Sequence, residues 1–192
     1  MLGLLTAISL ALVLARSAVT RADWTTMMAW NIALAWLPVA FAWLARTSRV
    51  WWIPWLAFLP NAPYLTTELV HLHPGPAFWL DALVIAAVGV LGLALGVVAL
   101  EPPHAAIERR FGSVAGWTFV VGITLVSGFG MYLGRVRRWN SWDLATNPMA
   151  TIGDAIGRLG DPRALAITAA AFALYLSAYA ITRGETRAWS SS

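Results

Sequence analysis

The sequence predicts an all-α fold, a polytopic bundle of transmembrane helices with about six spans. Of its 192 residues, 59% are hydrophobic and 11% are charged, and the mean hydropathy is +0.68. Several uncharged runs approach or exceed the roughly 20 residues that a helix needs to cross a bilayer. The 13 basic residues are all arginines in short connections between these runs, a membrane-flank pattern that indicates no nucleic-acid partner. The chain has no cysteine, which excludes disulfides and thiolate chemistry.

The first two spans are predicted from apolar runs near the start of the chain. Residues 2–15 are apolar and predict a short first helix. Residues 27–45 predict the second span, with Asp23 placed to cap its N-terminus and Pro38 placed to kink it.

The third span, residues 50–72, is long enough to cross but is interrupted by three prolines, Pro54, Pro60 and Pro63. Proline breaks a helix because it lacks an amide N–H and its ring clashes with the preceding turn. We expect Asn61 to cap a new half-helix after the second break. The free N–H groups and positive dipole end of that half-helix would suit an anionic group.

Residues 78–100, 114–133 and 164–182 predict the fourth, fifth and sixth spans. Together, residues 1–182 are predicted to form a single integral membrane domain. The polar residues 183–192 predict a disordered C-terminal tail.

A short interfacial helix is predicted between spans five and six. Asn147 and Pro148 form a start signal, and Gly160 is expected to end the helix. Asp154 and Arg158 are four residues apart on its polar face. Its opposite face carries Met149, Ile152, Ile156 and Leu159. The Asp161-Pro162 pair repeats the start signal for the last span.

With six spans, most of the unusual polar residues share one membrane face. These residues are Asn31, Glu68, His71, His73, Asp81 and the segment 135–143. When the arginines of that segment are set aside as functional, the remaining arginines favour cytoplasmic termini and place this polar face on the extracytoplasmic side. The other face carries Glu101, Glu108 and Arg183 as ordinary flanking charges, together with His104, to which the sequence assigns no role.

A spacing of four and three residues puts Tyr64, Glu68 and His71 on one helical stripe. Glu-x-x-His spacing can place two metal ligands on one helix. With Asp81 and Asp143 nearby in the predicted topology, these side chains could hold zinc, manganese or iron, or act as general acid and base. The same spacing is also typical of a hydrogen-bonded or hydrated pair, and both interpretations stay open.

The arginine segment 135–143 is a second candidate site. Arg135 and Arg138 are three residues apart and could together hold a phosphate or carboxylate, with Asn140 and Asp143 orienting them. Arg137 is predicted to be an ordinary flanking residue whose side chain extends towards lipid phosphates.

Several long motifs occur in a fixed order along the chain. They are WNIALAWLP at residues 30–38, FLPNAPYLTTELVH at 58–71, Asp81, GMYLGRVRRWNSWD at 130–143, and Asn147-Pro148. This pattern resembles the bacterial membrane family catalogued as domain of unknown function 1361. The resemblance implies a multi-pass protein of a bacterial inner membrane, and it implies no particular reaction.

Two classes of function remain open from the sequence. The first is a binding, transport or assembly component that holds an anionic lipid headgroup or small anion. Its site would use Asn61, Tyr64, Arg135, Arg138 and Asn140, with Asn31 as a supporting polar residue. The alternative is a membrane-embedded hydrolase or transferase, with or without a divalent metal, acting on a lipid-linked phosphate. Its acid, base or metal-binding groups would be Glu68, His71, Asp81 and Asp143.

Overall fold

The computed structural model describes residues 1–20 and 24–190, and within those residues the chain is helical without strands. The helices are α1 Leu2–Thr20, α2 Trp24–Leu44, α3 Trp52–Phe58, α4 Asn61–Tyr64, α5 Phe78–Phe111, α6 Ser113–Tyr132, α7 Asp143–Thr146, α8 Pro148–Gly157 and α9 Pro162–Ser190. Arg49–Trp51 and Leu65–His71 form 3₁₀ turns, and Leu133–Arg137 forms a π-helical turn. The expected cap, Asp23, lies outside the described residues.

Four helices in the described part of the chain are long and apolar enough to cross a membrane. They are Thr26–Leu44, Phe78–Phe111, Ser113–Arg137 and Pro162–Gly184. These correspond to the predicted second, fourth, fifth and sixth spans, so the helical membrane bundle is confirmed. The first apolar helix, Leu2–Ala18, is shorter, and the third segment consists of short pieces. The structure therefore supports four of the six predicted crossings as full-length helices.

Helix α5 is longer than the sequence predicts. Its 34 residues would extend about 50 Å at the α-helical rise of 1.5 Å per residue, beyond the roughly 30 Å of a hydrocarbon core. Pro102 and Pro103 lie inside it, where the apolar run was expected to end. The helix continues past them to Phe111.

The chain forms two compact units, Met1–Gly96 and Val97–Ser192. In the first unit, the interrupted third segment runs back along α2. Near the C-terminal end of α2, Phe41 stacks on Trp51 and meets the edge of Phe58. Nearer its N-terminal end, Asn31 bonds to Glu68. The segment thus returns towards the start of α2, as a third span would.

Apolar side chains from α1, α2, the interrupted segment and α5 form the core of the first unit. They are Val13, Met28, Ile32, Ala35, Ala62, Leu65, Val84, Val88, Leu91 and Leu95. Gly92 of α5 lies against the backbone of Ala62 and the side chain of Leu65. The short pieces around the prolines therefore pack closely against α5.

In the second unit, α6 and α9 pack against each other. Asp161 caps α9 as predicted, because its Oδ1 accepts the backbone N–H of Arg163 at 2.9 Å. Helix α8 starts after Asn147 as predicted but ends at Gly157, three residues before Gly160. Helix α9 continues to Ser190, beyond residue 182 where the sixth span was predicted to end. Arg183 contributes to this extension through ion pairs with α5.

We predict that Gly128→Ala destabilises the protein, whereas Gly122→Ala on the same helix does not. A Cβ at Gly128 would lie 2.8 Å from the backbone oxygen of Thr168, which cannot move without shifting α9. Overpacking of this kind costs about 1–3 kcal/mol. A Cβ at Gly122 meets nothing within 4 Å, so alanine there should stabilise the helix by up to about 1 kcal/mol. Unfolding in detergent, followed by circular dichroism, measures both, and equal stability of the two variants would contradict the close approach.

Candidate functional site

Glu68 is a carboxylate with no exposed surface in the first unit. The side-chain amide of Asn31, on α2, donates to Glu68 Oε1 at 3.2 Å. His71 Nε2 lies 3.5 Å from Glu68 Oε2, and the His71 side chain is 39% exposed. The pair thus links a buried carboxylate to an imidazole that reaches the surface, an arrangement suited to moving or holding a proton.

The 3₁₀ geometry of Leu65–His71 explains why Glu68 and His71 meet. Residues three apart eclipse each other in a 3₁₀ turn, whereas residues four apart are rotated by about 120°. The Glu68–His71 contact therefore agrees with the spacing argument. Tyr64 was expected on the same stripe, but it belongs to the preceding helix, α4.

Asp81, the third candidate metal ligand, is held by an arginine. Arg16 of α1 makes a two-point contact with Asp81 in the first turn of α5, with NH2 3.1 Å from Oδ2 and Nε against Oδ1. Both side chains are largely buried. No group of three or more His, Asp or Glu side chains that could hold a metal ion occurs in residues 1–20 and 24–190. The structure therefore offers Glu68 and His71 as a two-residue polar pair.

Asn61 does not cap α4 as the sequence predicts. The N-cap position is Pro60, and Asn61 is the first residue of this four-residue helix. The Asn61 side chain points back along the chain, where its Nδ2 donates to the carbonyl oxygen of Phe58 at 3.0 Å. It thereby bonds to a carbonyl that lacks its usual helical partner, because the N–H of Ala62 bonds to the carbonyl of Leu59 instead.

The arginine segment in the second unit is organised by Asp154 of α8. Arg137 bonds to Asp154 through two nitrogens, Nε at 2.7 Å and NH2 at 3.0 Å. The indole N–H of Trp139 donates to the same carboxylate at 2.8 Å, and Arg158 Nε lies at 3.5 Å. Arg137 was expected to be an ordinary flanking residue, and that expectation was wrong. It fixes α8 to the end of α6 because Leu133–Arg137 forms a π-helical turn that redirects the chain.

These contacts change the acidity of Asp154. Hydrogen bonds from Arg137 and Trp139 stabilise the carboxylate and lower the pKa of Asp154 to about 2. The pKa of Asp154 is lower in the folded protein than the ordinary value for aspartate. The contacts therefore stabilise the folded protein fully at pH values above that ordinary pKa. This contribution is lost as the pH falls towards about 2. The attachment of α8 is therefore complete at neutral pH.

Arg138, which was expected to act with Arg135, ends the π-helical turn in a left-handed conformation with φ of 63°. Its side chain is exposed, and its guanidinium has no hydrogen bond or ion pair within the described residues. Arg135 is half-buried. Asn140 and Asp143, which are predicted to orient the arginines, bond to each other. The Asn140 backbone N–H donates to Asp143 Oδ2 at 2.7 Å.

The second unit also contains a polar cluster to which the sequence assigns no role. His104 and Tyr179 have no exposed surface, and His104 Nδ1 lies 2.6 Å from the Tyr179 hydroxyl. That hydroxyl donates to Glu101 Oε2 at 2.8 Å. Arg183 bonds to Glu101, to Glu108 and to the Tyr179 hydroxyl. Glu101, His104 and Glu108 recur every three or four residues on α5, a spacing that could have revealed the cluster if the helix had been expected to continue past Leu100.

These features define a multi-pass helical membrane protein whose buried polar groups are linked between helices. A family model described as protein of unknown function (DUF1361) matches residues 30–178. The chain belongs to this family, which confirms the resemblance seen in its motifs. No curated protein and no solved structure matches the chain.

We predict that Asp154→Asn releases α8 from the end of α6. The chain has no cysteine, so one cysteine placed at the buried Thr151 of α8 would report on this attachment. Labelling by a water-soluble maleimide at neutral pH should rise several-fold in Asp154→Asn and Arg137→Gln. Arg138→Gln is the matched control and should not change it. Unchanged labelling in the first two variants would show that the carboxylate does not hold the helix.

Proposed function

We propose that the protein binds anionic lipid headgroups through residues 133–160, which we call the interfacial segment. The observation that carries this proposal is the attachment of Asp154 to Arg137 and Trp139. This contact turns the polar face of α8 towards the end of α6. It leaves the apolar face of α8 and the charge of Arg138 on the outside of the unit.

The apolar face of α8 supports a position at a membrane surface. Met149 is 84% exposed, and Ile152, Ile156 and Leu159 are also exposed. Three large apolar side chains on one side of a short helix, with Leu159 just beyond its end, are unfavourable in water. They are stabilised when the helix lies at the boundary between headgroups and acyl chains. Trp142, which is 37% exposed, fits the same environment because indole rings favour membrane interfaces.

The charges of the interfacial segment support selection of an anionic headgroup. Arg137 and Arg158 both contact Asp154, which neutralises part of their charge. Arg138 is exposed and keeps its full charge available to a phosphate. An arginine fork binds phosphate through two parallel hydrogen bonds, which favours a headgroup phosphate over a simple point charge.

The wider site expected from the sequence, which adds Asn61, Tyr64, Arg135 and Asn140 and a transport or assembly role, stays a prediction. The enzymatic alternative also stays a prediction. Its best structural support is the Glu68–His71 pair, which has the composition of an acid–base couple.

We further propose that the interfacial segment faces the extracytoplasmic side of a bacterial inner membrane and that both termini are cytoplasmic. The support is the excess of arginines on the opposite flanks once Arg135, Arg137 and Arg138 are set aside as functional. A reporter that is active only in the cytoplasm should be active when fused after Ser192. Activity of a periplasmic reporter at that position would reverse the orientation.

The binding proposal predicts that Arg138→Gln weakens the retention of anionic lipid. An arginine near an anionic surface contributes about 1 kcal/mol, so affinity should fall roughly fivefold. Native mass spectrometry of the protein in detergent with added phosphatidylglycerol measures this retention, with phosphatidylcholine as the neutral comparison.

Arg109→Gln is the matched control for this experiment. Arg109 is exposed in the last turn of α5, next to the N-terminal end of α6, whereas the interfacial segment begins at the C-terminal end of α6, and its replacement removes the same charge. We expect it to leave retention nearly unchanged. An equal loss in both variants would show that net charge, and not the interfacial segment, attracts the lipid.

A further inference from the structure

A chain of side-chain hydrogen bonds leads from the surface of the second unit to a buried imidazole. Glu101 is 51% exposed at one end, and His104 is fully buried at the other. The Tyr179 hydroxyl joins them, at 2.8 Å from Glu101 Oε2 and 2.6 Å from His104 Nδ1. This is the spacing that proton transfer between neighbouring groups requires. This chain of hydrogen bonds lies by the N-terminal end of α6, whereas the interfacial segment begins at the C-terminal end of the same helix.

Packing fixes the orientation of the imidazole in this chain. A Cβ at Gly116 of α6 would lie 2.8 Å from His104 Cδ2 and Nε2, so the ring rests directly on the backbone of α6. Trp117 meets the ring edge-on, with centroids 5.2 Å apart. The Nδ1 edge is thereby held towards Tyr179. A rotated ring would lose its bond to the hydroxyl.

The directions of the hydrogen bonds place a proton on Nδ1 of His104. In the structure the Tyr179 hydroxyl donates to Glu101, and its oxygen accepts from Arg183 NH1 at 3.0 Å. The hydroxyl has a single hydrogen, so with this arrangement His104 Nδ1 must be the donor in its bond to Tyr179. A proton on Nδ1 is present both in one neutral tautomer and in the imidazolium.

An imidazolium at His104 would balance the formal charges around it. The neighbouring groups on α5 are the carboxylates of Glu101 and Glu108, and α9 adds Arg183 and the hydroxyls of Tyr179 and Tyr175. Helix α6 contributes Gly116 and Trp117, which carry no charge. Two carboxylates and one guanidinium give this group a formal charge of −1 with a neutral imidazole. An imidazolium brings it to zero.

We infer that His104 is a proton-binding site, supplied from the surface by Glu101 through Tyr179. Glu101 takes a proton from water and passes it to the Tyr179 oxygen, while the Tyr179 hydroxyl proton moves to Nδ1 of a His104 that carries its proton on Nε2. The carboxylic acid and neutral imidazole become a carboxylate and an imidazolium, and tyrosine ends with its hydroxyl restored. The resulting bond directions are those of the structure.

The experiment is nitrogen-15 NMR of full-length protein in detergent, with His71 and His73 replaced by asparagine so that His104 is the remaining histidine. Ring nitrogen shifts distinguish the two neutral tautomers from the imidazolium. We expect His104 to change charge between about pH 5 and 8, the range in which imidazoles titrate. A ring that keeps one neutral form across that range would overturn the inference.

The relay itself is tested by the exchange rate of the His104 Nδ1 proton with water. Glu101→Gln keeps an oxygen that accepts from Tyr179 but cannot carry the proton, so exchange should slow on the order of 100-fold. Tyr179→Phe interrupts the same chain and should slow it similarly. Glu108 is not a member of this hydrogen-bond chain. Glu108→Gln therefore removes an equal charge but should have little effect on the exchange rate. Equal slowing in Glu101→Gln and Glu108→Gln would show a charge effect and overturn the relay.

Discussion

A charged side chain that leaves water must be matched by a partner, and this constraint determines how the helices of this protein are connected. Removing one member of a buried ion pair typically costs about 3–5 kcal/mol, because the other charge is left in a poorly solvating environment. Arg16 with Asp81 joins α1 to α5. Arg183 with Glu101 joins α9 to α5. In each case the ion pair determines which helix packs against which. Apolar contacts alone would not, since lipid tails compete equally for apolar surfaces.

The same constraint explains the arrangement around the prolines of the third segment. A broken helix exposes backbone carbonyls that have no water to bind inside a bilayer. The Asn61 amide donates to the carbonyl of Phe58, and the hydroxyls of Thr66 and Thr67 donate to the carbonyls of Pro63 and Tyr64 at 2.7 and 2.6 Å. These polar side chains thus bond to carbonyls at the helix break. They therefore have a structural role that does not depend on a ligand, although the sequence had indicated a functional one.

The sequence was informative where a single helix decides the outcome. The four long apolar runs, the start of α8 after Asn147 and the Asp161 cap follow from local rules of hydropathy and capping. The spacing of Glu68 and His71 also indicates their contact, because this contact depends on spacing within one turn. The sequence missed contacts that depend on how far a helix continues or how it turns. The π-helical turn before Arg138 gives Arg137 a structural contact with Asp154 in place of its expected flanking role. No local rule predicts an extra residue in a helical turn.

The buried polar groups differ in whether their charge can change near neutral pH. This difference separates positions with a fixed structural charge from positions that can bind or release a proton. Every basic residue of the chain is arginine, which stays protonated at any physiological pH, so the pairs that Arg16 and Arg137 make are permanent connections between helices. Imidazoles change charge near neutrality. His104 lies beside a buried hydroxyl, so the hydrogen bonds of that hydroxyl depend on the charge of the imidazole. A proton bound at His104 would therefore act on a framework of ion pairs that the arginines keep fixed.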